Sequence, residues 1–202
     1  MVIERKNSMK KILLIILCLS GIQSFPQKKS ELGFSFMSGS SDIMSFAKTV
    51  GGSGYSGDGF YSIGLTYLLP VKSWLSFETG LEYSQHKITI TSNLPPQYPA
   101  VTRHEKIGLL SLPIAYRLIF LKYAFINAGL LLDVDTNLSG SVSSQTGIGV
   151  LLGVGLKYDF KSGITVSANP CLRIHRIIPF SKDGSDQRLI DSGVKLCVGY
   201  RF

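Results

Sequence analysis

The chain reads as all-β: an eight-stranded antiparallel up-and-down transmembrane β-barrel preceded by a cleavable signal peptide. Three observations predict it. Past residue 30 the apolar side chains recur at every second position, the period of a strand, and no segment keeps a 3.6-residue stripe over three turns. Most of the alternating segments run to ten residues or more, longer than a typical soluble strand and enough for the roughly 9 to 11 of a tilted membrane strand. The connections between them alternate between short and long. With 45% hydrophobic and 17% charged residues in 202 positions, the composition excludes a disordered chain.

The first element is the leader. Met9, Lys10 and Lys11 supply a positive start, Ile12 to Leu19 a short apolar stretch, and Ser20 and Gly21 small residues near a cut site, which together read as a secretory signal. That apolar stretch of eight is the longest in the chain, well short of the roughly 20 residues of a spanning helix. Residues 1–26 are therefore assigned to an upstream extension and signal peptide, with cleavage between Ser20 and Gln27, and 27–202 to the barrel.

Strands are expected at about 30–38, 60–69, 74–88, 105–119, 122–135, 147–160, 164–177 and 189–202. In the second, Tyr61, Ile63, Leu65 and Tyr67 alternate with Ser62, Gly64 and Thr66; in the third, Leu75, Phe77, Leu81 and Tyr83 alternate with Ser76, Glu78, Gly80 and Glu82. The sixth sets Val150, Leu152, Val154 and Leu156 against Gly149, Gly153, Gly155 and Lys157, and the last sets Val194, Leu196, Val198, Tyr200 and Phe202 against Lys195, Cys197, Gly199 and Arg201. One face is greasy and the other small or charged. Short turns near 70–73, 120–121 and 161–163 alternate with long loops near 39–59, 89–104, 136–146 and 178–188, the layout of an outer-membrane barrel with both termini on the periplasmic side. Tyr67, Trp74, Phe77, Tyr116, Phe120, Tyr123, Tyr158, Phe160, Tyr200 and Phe202 all fall near a short turn or the last strand's end, as an interfacial girdle requires.

A formal charge of +8 suggests an acidic partner until the charges are placed. Six of the 21 basic residues precede Ser30, and beyond it 15 basic residues face 12 acidic ones with no run of like charge to follow a phosphate backbone. No nucleic-acid partner is expected. Eight strands leave an interior that side chains can fill or that holds one small ligand, so general-diffusion porin activity is not expected. Strand parity turns Glu78, Glu82, Arg117, Asp133, Lys157, Asp159, Arg173, Lys195 and Arg201 into that interior, where unpaired charge is costly. Mutual pairing is the expected outcome, either as a plug that fixes the barrel or as a polar conduit.

Sequence signals for chemistry are weak. The run Gly147, Gly149, Gly153 lacks the third glycine of a dinucleotide fingerprint and lies inside a strand. His86, His104 and His175 show no metal-ligand spacing, so neither metal nor cofactor is expected. Ser84 and His86 are the nearest approach to the Ser/His pair of a lipid-modifying barrel enzyme, but both take the inward parity, and no enzyme activity is assigned. Cys171 and Cys197 share the inward parity of the last two strands; a hairpin centred on Gly184 would set them opposite and permit a disulfide in an oxidising periplasm.

The segment Leu110, Ser111, Leu112, Pro113, Ile114, Ala115, Tyr116, Arg117, Leu118, then Tyr123 with Asn127, Ala128 and Gly129, then Gly153 to Tyr158 and the closing Gly199, Tyr200, Arg201 and Phe202, resembles the outer-membrane β-barrel domain family that includes PorT-like proteins. The resemblance spans about 30–202 and implies a Gram-negative cell outer membrane, contact with its lipid, and a C-terminal signal at Tyr200 and Phe202 for the barrel-assembly machinery. It brings no catalytic motif, and Ser111 stands where many relatives carry an acid two places before the strand proline. The expected role is an envelope scaffold or interaction component acting through its outer loops, with 51–57 and 94–99 as contact surfaces. A narrow channel or carrier through the lumen, and a soluble barrel with its greasy face inward, are the alternatives.

Overall fold

Eight strands, β1 (Glu31–Ser45), β2 (Gly54–Pro70), β3 (Leu75–Thr91), β4 (Thr102–Phe120), β5 (Ala124–Asp135), β6 (Gly147–Asp159), β7 (Ile164–Pro179) and β8 (Gln187–Arg201), pair antiparallel in chain order and close into a barrel. The computed structural model describes residues 29–45, 54–91, 102–136, 144–180 and 187–202. The leader, and the loop segments 51–53 and 94–99 that the sequence marks as contact surfaces, lie outside the described residues. Closure is continuous from Glu31 opposite Arg201 to Ser45 opposite Gln187, so β1 and β8 leave no free sheet edge.

Four strands extend past the alternating segments that announce them. β1 continues to Ser45 and β2 begins at Gly54, while β3 runs to Thr91 and β4 starts at Thr102. Their outer portions, such as Ser38 to Asp42, carry polar residues on both faces. Above the bilayer the outward face meets water instead of lipid, so the hydropathy contrast between the faces fades while the hydrogen-bonded ladder continues.

Two bulges and two prolines interrupt the ladders. The β2–β3 register shifts between Gly57 and Gly59, where Gly59 has a φ of 147° that favours glycine. The β6–β7 register shifts between Ile148 and Val150, and the extra residues of β7 there include Arg176 at φ 52°. Pro113 leaves a gap between Thr79–Ile114 and Glu82–Ser111 on its β3 side, and Pro170 one between Gly153–Cys171 and Leu156–Ala168 on its β6 side, without changing either register. A proline has no N–H to give, so each strand keeps its pairing on the other side only.

The wall is inverted relative to a soluble protein. Leu65, Leu81, Leu130, Leu156, Val154 and Val198 stand exposed on the outside, Leu156 at 63%, whereas the buried side chains comprise 23 polar or charged residues and 12 hydrophobic ones among the described residues. A soluble barrel with a greasy interior is thereby excluded. Acyl chains are the solvent such a wall requires, and an aromatic belt bounds it at the turn end. At the turn end Phe77 meets Tyr116, and Tyr123 and Phe160 flank Tyr158, with Lys72 over Trp74 and Lys122 over Tyr123. Tyr61 and Tyr83 face out at the other border. Tyr61 lies nine residues up β2 from Pro70, a height of about 23 Å at ~3.3 Å per residue and ~40° tilt, close to the apolar band of known barrels.

The final hairpin corrects the cysteine pairing. Cys171 lies opposite Gly193 and Cys197 opposite Ser167, four residues out of step, and both thiols are free. The register centres this hairpin on position 182, two residues before Gly184, and that displacement sets the two cysteines four residues apart.

Candidate functional site

The lumen is the candidate site, and its chemistry is stacked in layers along the barrel axis. At the turn end, Glu31 of β1, Lys157 and Asp159 of β6 and Arg201 of β8 form a chain of ion pairs: Lys157 Nζ to Glu31 Oε2 at 2.5 Å and to Asp159 Oδ1 at 3.3 Å, and Arg201 Nη1 to Asp159 Oδ2 at 3.1 Å. With Lys29, Lys72 and Arg117 these residues line a cavity of about 390 Å³ that opens at the mouth.

Above the mouth is a fully buried layer. Glu78 accepts from Arg117 Nη2 at 3.0 Å, from Asn127 Nδ2 at 3.3 Å and from Lys195 Nζ at 3.4 Å. Glu82 accepts from Lys195 Nζ and from Arg173 Nη2, each at 2.6 Å. The Arg117 guanidinium also rests 4.1 Å from the centre of the Phe125 ring. Two carboxylates thus bind three cations, a network in which each charge that left water has a charged partner. Inward glycines make the room: a Cβ on Gly153 would lie 2.5 Å from the side-chain amides of both Asn127 and Asn169, and one on Gly64 would lie 2.7 Å from Glu82 Cγ.

The next layer joins acids to histidines. Asp191 Oδ2 lies 2.8 Å from His86 Nε2 and 3.0 Å from His175 Nε2, while Ser41 Oγ donates to Asp191 Oδ1 at 2.7 Å. The other nitrogen of His175, Nδ1, lies 2.8 Å from Asp133 Oδ2, and Ser111 donates to Asp133 Oδ1 at 2.6 Å. Ser111 holds no carboxylate of its own; it is paired directly opposite one, Asp133, on the adjacent strand. Phe60 stacks on His86 with ring centres 5.2 Å apart. Toward the loop end an apolar layer follows, in which Ile88, Ile107, Leu109 and Leu189 pack together with Ile43 and Ile90 against them.

All nine charges assigned to the interior by parity have ion-pair partners, in three groups: Lys157, Asp159 and Arg201 at the mouth, Glu78, Glu82, Arg117, Arg173 and Lys195 in the middle, and Asp133 with the histidines. Sequence reasoning missed Glu31 and Asp191, although Asp191 shares parity with the recognised Lys195 and Glu31 alternates in step with the small residues Gly33 and Ser35. It also read the histidines as scattered. His86 and His175 are 89 positions apart, and only the closure that carries β7 and β8 round to face β3 brings them to one carboxylate. His104 stays apart, exposed and bonded to Thr89.

No family model and no curated protein matches the chain. Among solved structures, the outer membrane protein OprG of Pseudomonas aeruginosa aligns at a TM-score of 0.53 and 13% identity over 86% of this chain and 95% of that one. AlkL, solved in lipid bilayers, aligns at 0.49 and 14% identity over 89% and 96%, and the N-terminal β-barrel domain of Pseudomonas aeruginosa OprF at 0.43 and 16% over 87% and 100%. At such identities a likeness speaks for the fold alone. Taken with the closed ring of eight strands and its greasy wall, the chain has the fold of a small outer-membrane β-barrel.

Proposed function

We propose that this chain is an integral outer-membrane barrel that serves the cell envelope as a scaffold or interaction component, without conducting solutes and without catalysis. The observation that carries this reading is the lumen: a layer of mutually paired charges and an apolar layer of Ile88, Ile107, Leu109 and Leu189 stand in series across it. Partner contact then belongs to the loop end, where specificity on a rigid barrel resides. The short turns face the periplasm, residues 1–26 direct export, and outward Tyr200 and Phe202 present the alternation for barrel-assembly machinery. The motifs around Pro113 and Gly153 favour a PorT-like member of the outer-membrane barrel domain family.

A narrow carrier is the second reading, favoured by the cavity at the turn-end mouth, which ends at Arg117. A lipid-modifying role has less support, because Ser84 and His86 are buried in the lumen rather than set against lipid. Planar-bilayer recording separates the first two. Purified barrel at channel-forming concentrations is expected to give no unitary steps, and reproducible ohmic steps would reject the scaffold reading. Co-purification from mild-detergent membrane extracts is expected to retain a second envelope protein at constant ratio.

A further inference from the structure

We propose that His86, His175 and Asp191 form a site for one divalent transition-metal ion of the zinc class, enclosed in the lumen beneath the apolar layer. The proposal is independent of whether the barrel conducts or binds a partner.

Three donor atoms converge there from three strands. His86 Nε2 of β3 and His175 Nε2 of β7 both point at Asp191 Oδ2 of β8, at 2.8 and 3.0 Å, and one ligand atom from each residue lies within 4.8 Å of the others. Zinc sits about 2.0–2.2 Å from imidazole nitrogen and carboxylate oxygen, so its ligand atoms stand roughly 3 Å apart. Both histidine-to-carboxylate distances have that spacing, and the two imidazole nitrogens lie within 4.8 Å of each other.

The surroundings are those a metal site uses. Asp133 receives His175 Nδ1 at 2.8 Å, which sets the ring's tautomer and leaves Nε2 to bind, and Ser111 holds Asp133 in turn. Ser41 fixes the second oxygen of Asp191, and Phe60 covers one face of His86. Three protein ligands leave a position for water. On the same inward face, the Ser84 hydroxyl and His86 Nδ1 are both buried without a hydrogen-bond partner among the described residues.

Ligand chemistry selects the ion. Two imidazoles and one carboxylate suit zinc and its first-row neighbours, whereas calcium takes six to eight or so oxygens around one point, and here Asp133 lies on the other ring nitrogen of His175, away from Asp191. Charge agrees with the choice, since Asp133 and Asp191 bring two negative charges that a divalent ion offsets. The competing arrangement is a proton alone, held on His175 between the two aspartates.

The test uses the full untagged chain, extracted in detergent and stripped by chelator, then exposed to zinc both in the folded state and during refolding from denaturant, because the site is enclosed. Elemental analysis after gel filtration is expected to find about one zinc per chain by at least one route, with no calcium retained under the same treatment. X-ray absorption of the zinc-loaded chain is expected to count two imidazole ligands. Less than a tenth of an ion per chain by both routes, or a zinc shell with one imidazole or none, overturns the proposal and leaves the proton-bridged network. His86→Gln and Asp191→Asn are expected to abolish stoichiometric binding and His104→Gln to keep it. Undiminished binding in the folded variants also overturns it, and if they do not fold the wild-type ligand count decides. Asp133→Asn tests a positioning residue, with affinity expected to fall about 10- to 100-fold and the two-imidazole count unchanged.

Discussion

Glu82 has one cation on each carboxylate oxygen, Lys195 on Oε1 and Arg173 on Oε2, both at 2.6 Å and all three side chains buried. Removing one partner of such a set costs more than forming it contributes, because the remaining charges stay out of water. Glu82→Ala is therefore expected to destabilise the barrel by about 3–5 kcal/mol, the range for a broken buried pair. The folded barrel band on unboiled electrophoresis should convert to the unfolded one at clearly lower temperature, and an unchanged transition would mean that water reaches this layer freely. Parity made Glu82, Arg173 and Lys195 legible as interior charges. Their specific partners were not legible, since pairing depends on which strands face each other across the ring, and alternation along one strand carries no such information. Arg176 shows the limit most clearly: it lies off the inward parity and is buried because the β7 bulge turns two consecutive side chains, His175 and Arg176, away from the lipid.

Strands were readable wherever one face meets lipid and the other the lumen, which is why 147–160 and 164–177 match β6 and β7 closely. They were not readable at the outer ends of β1 to β4, where the outward face meets water instead of lipid and the greasy-out, polar-in contrast is lost. A single charge on the lipid face tests the placement of that boundary. Leu130, outward near the middle of β5, is expected to lose about 2–4 kcal/mol as Leu130→Arg, whereas Leu121→Arg in the short turn, already 83% exposed, should lose roughly 0–1. Equal losses at the two sites would displace the apolar band from the height assigned to it. The register of the last hairpin has its own consequence. Cys171 and Cys197 sit four residues out of step, so thiol titration of the purified barrel, denatured without reductant, is expected to find both thiols free.

For the whole molecule, closure sets two barriers in series along one axis: the ion-paired layer of Glu78, Glu82, Arg117, Arg173 and Lys195, and the apolar layer of Ile88, Ile107, Leu109 and Leu189. The first blocks by filling space with tethered charge, the second by excluding water from a narrow apolar constriction. Barriers in series make a definite pattern, because opening one leaves the other in place. Replacing all five charged residues by serine removes both signs together and so leaves no single buried charge unpaired; this variant is expected to remain silent in a planar bilayer. Replacing the four apolar residues by serine leaves the ion pairs to obstruct the axis, and that variant should be silent as well. Only the combination of both sets is expected to pass ions, as small ohmic steps without voltage gating. Steps from the charge-layer variant alone would show that the apolar layer is no seal, and the solute path would then run from the turn-end cavity straight to the loop end. A silent combined variant that still migrates as a folded barrel would place the remaining obstruction in the buried acid–histidine layer of His86, His175, Asp133 and Asp191 between the two barriers or at the loop end. The wild-type lumen owes its closure, on this account, to long side chains that inward glycines such as Gly64 and Gly153 leave room to cross the axis.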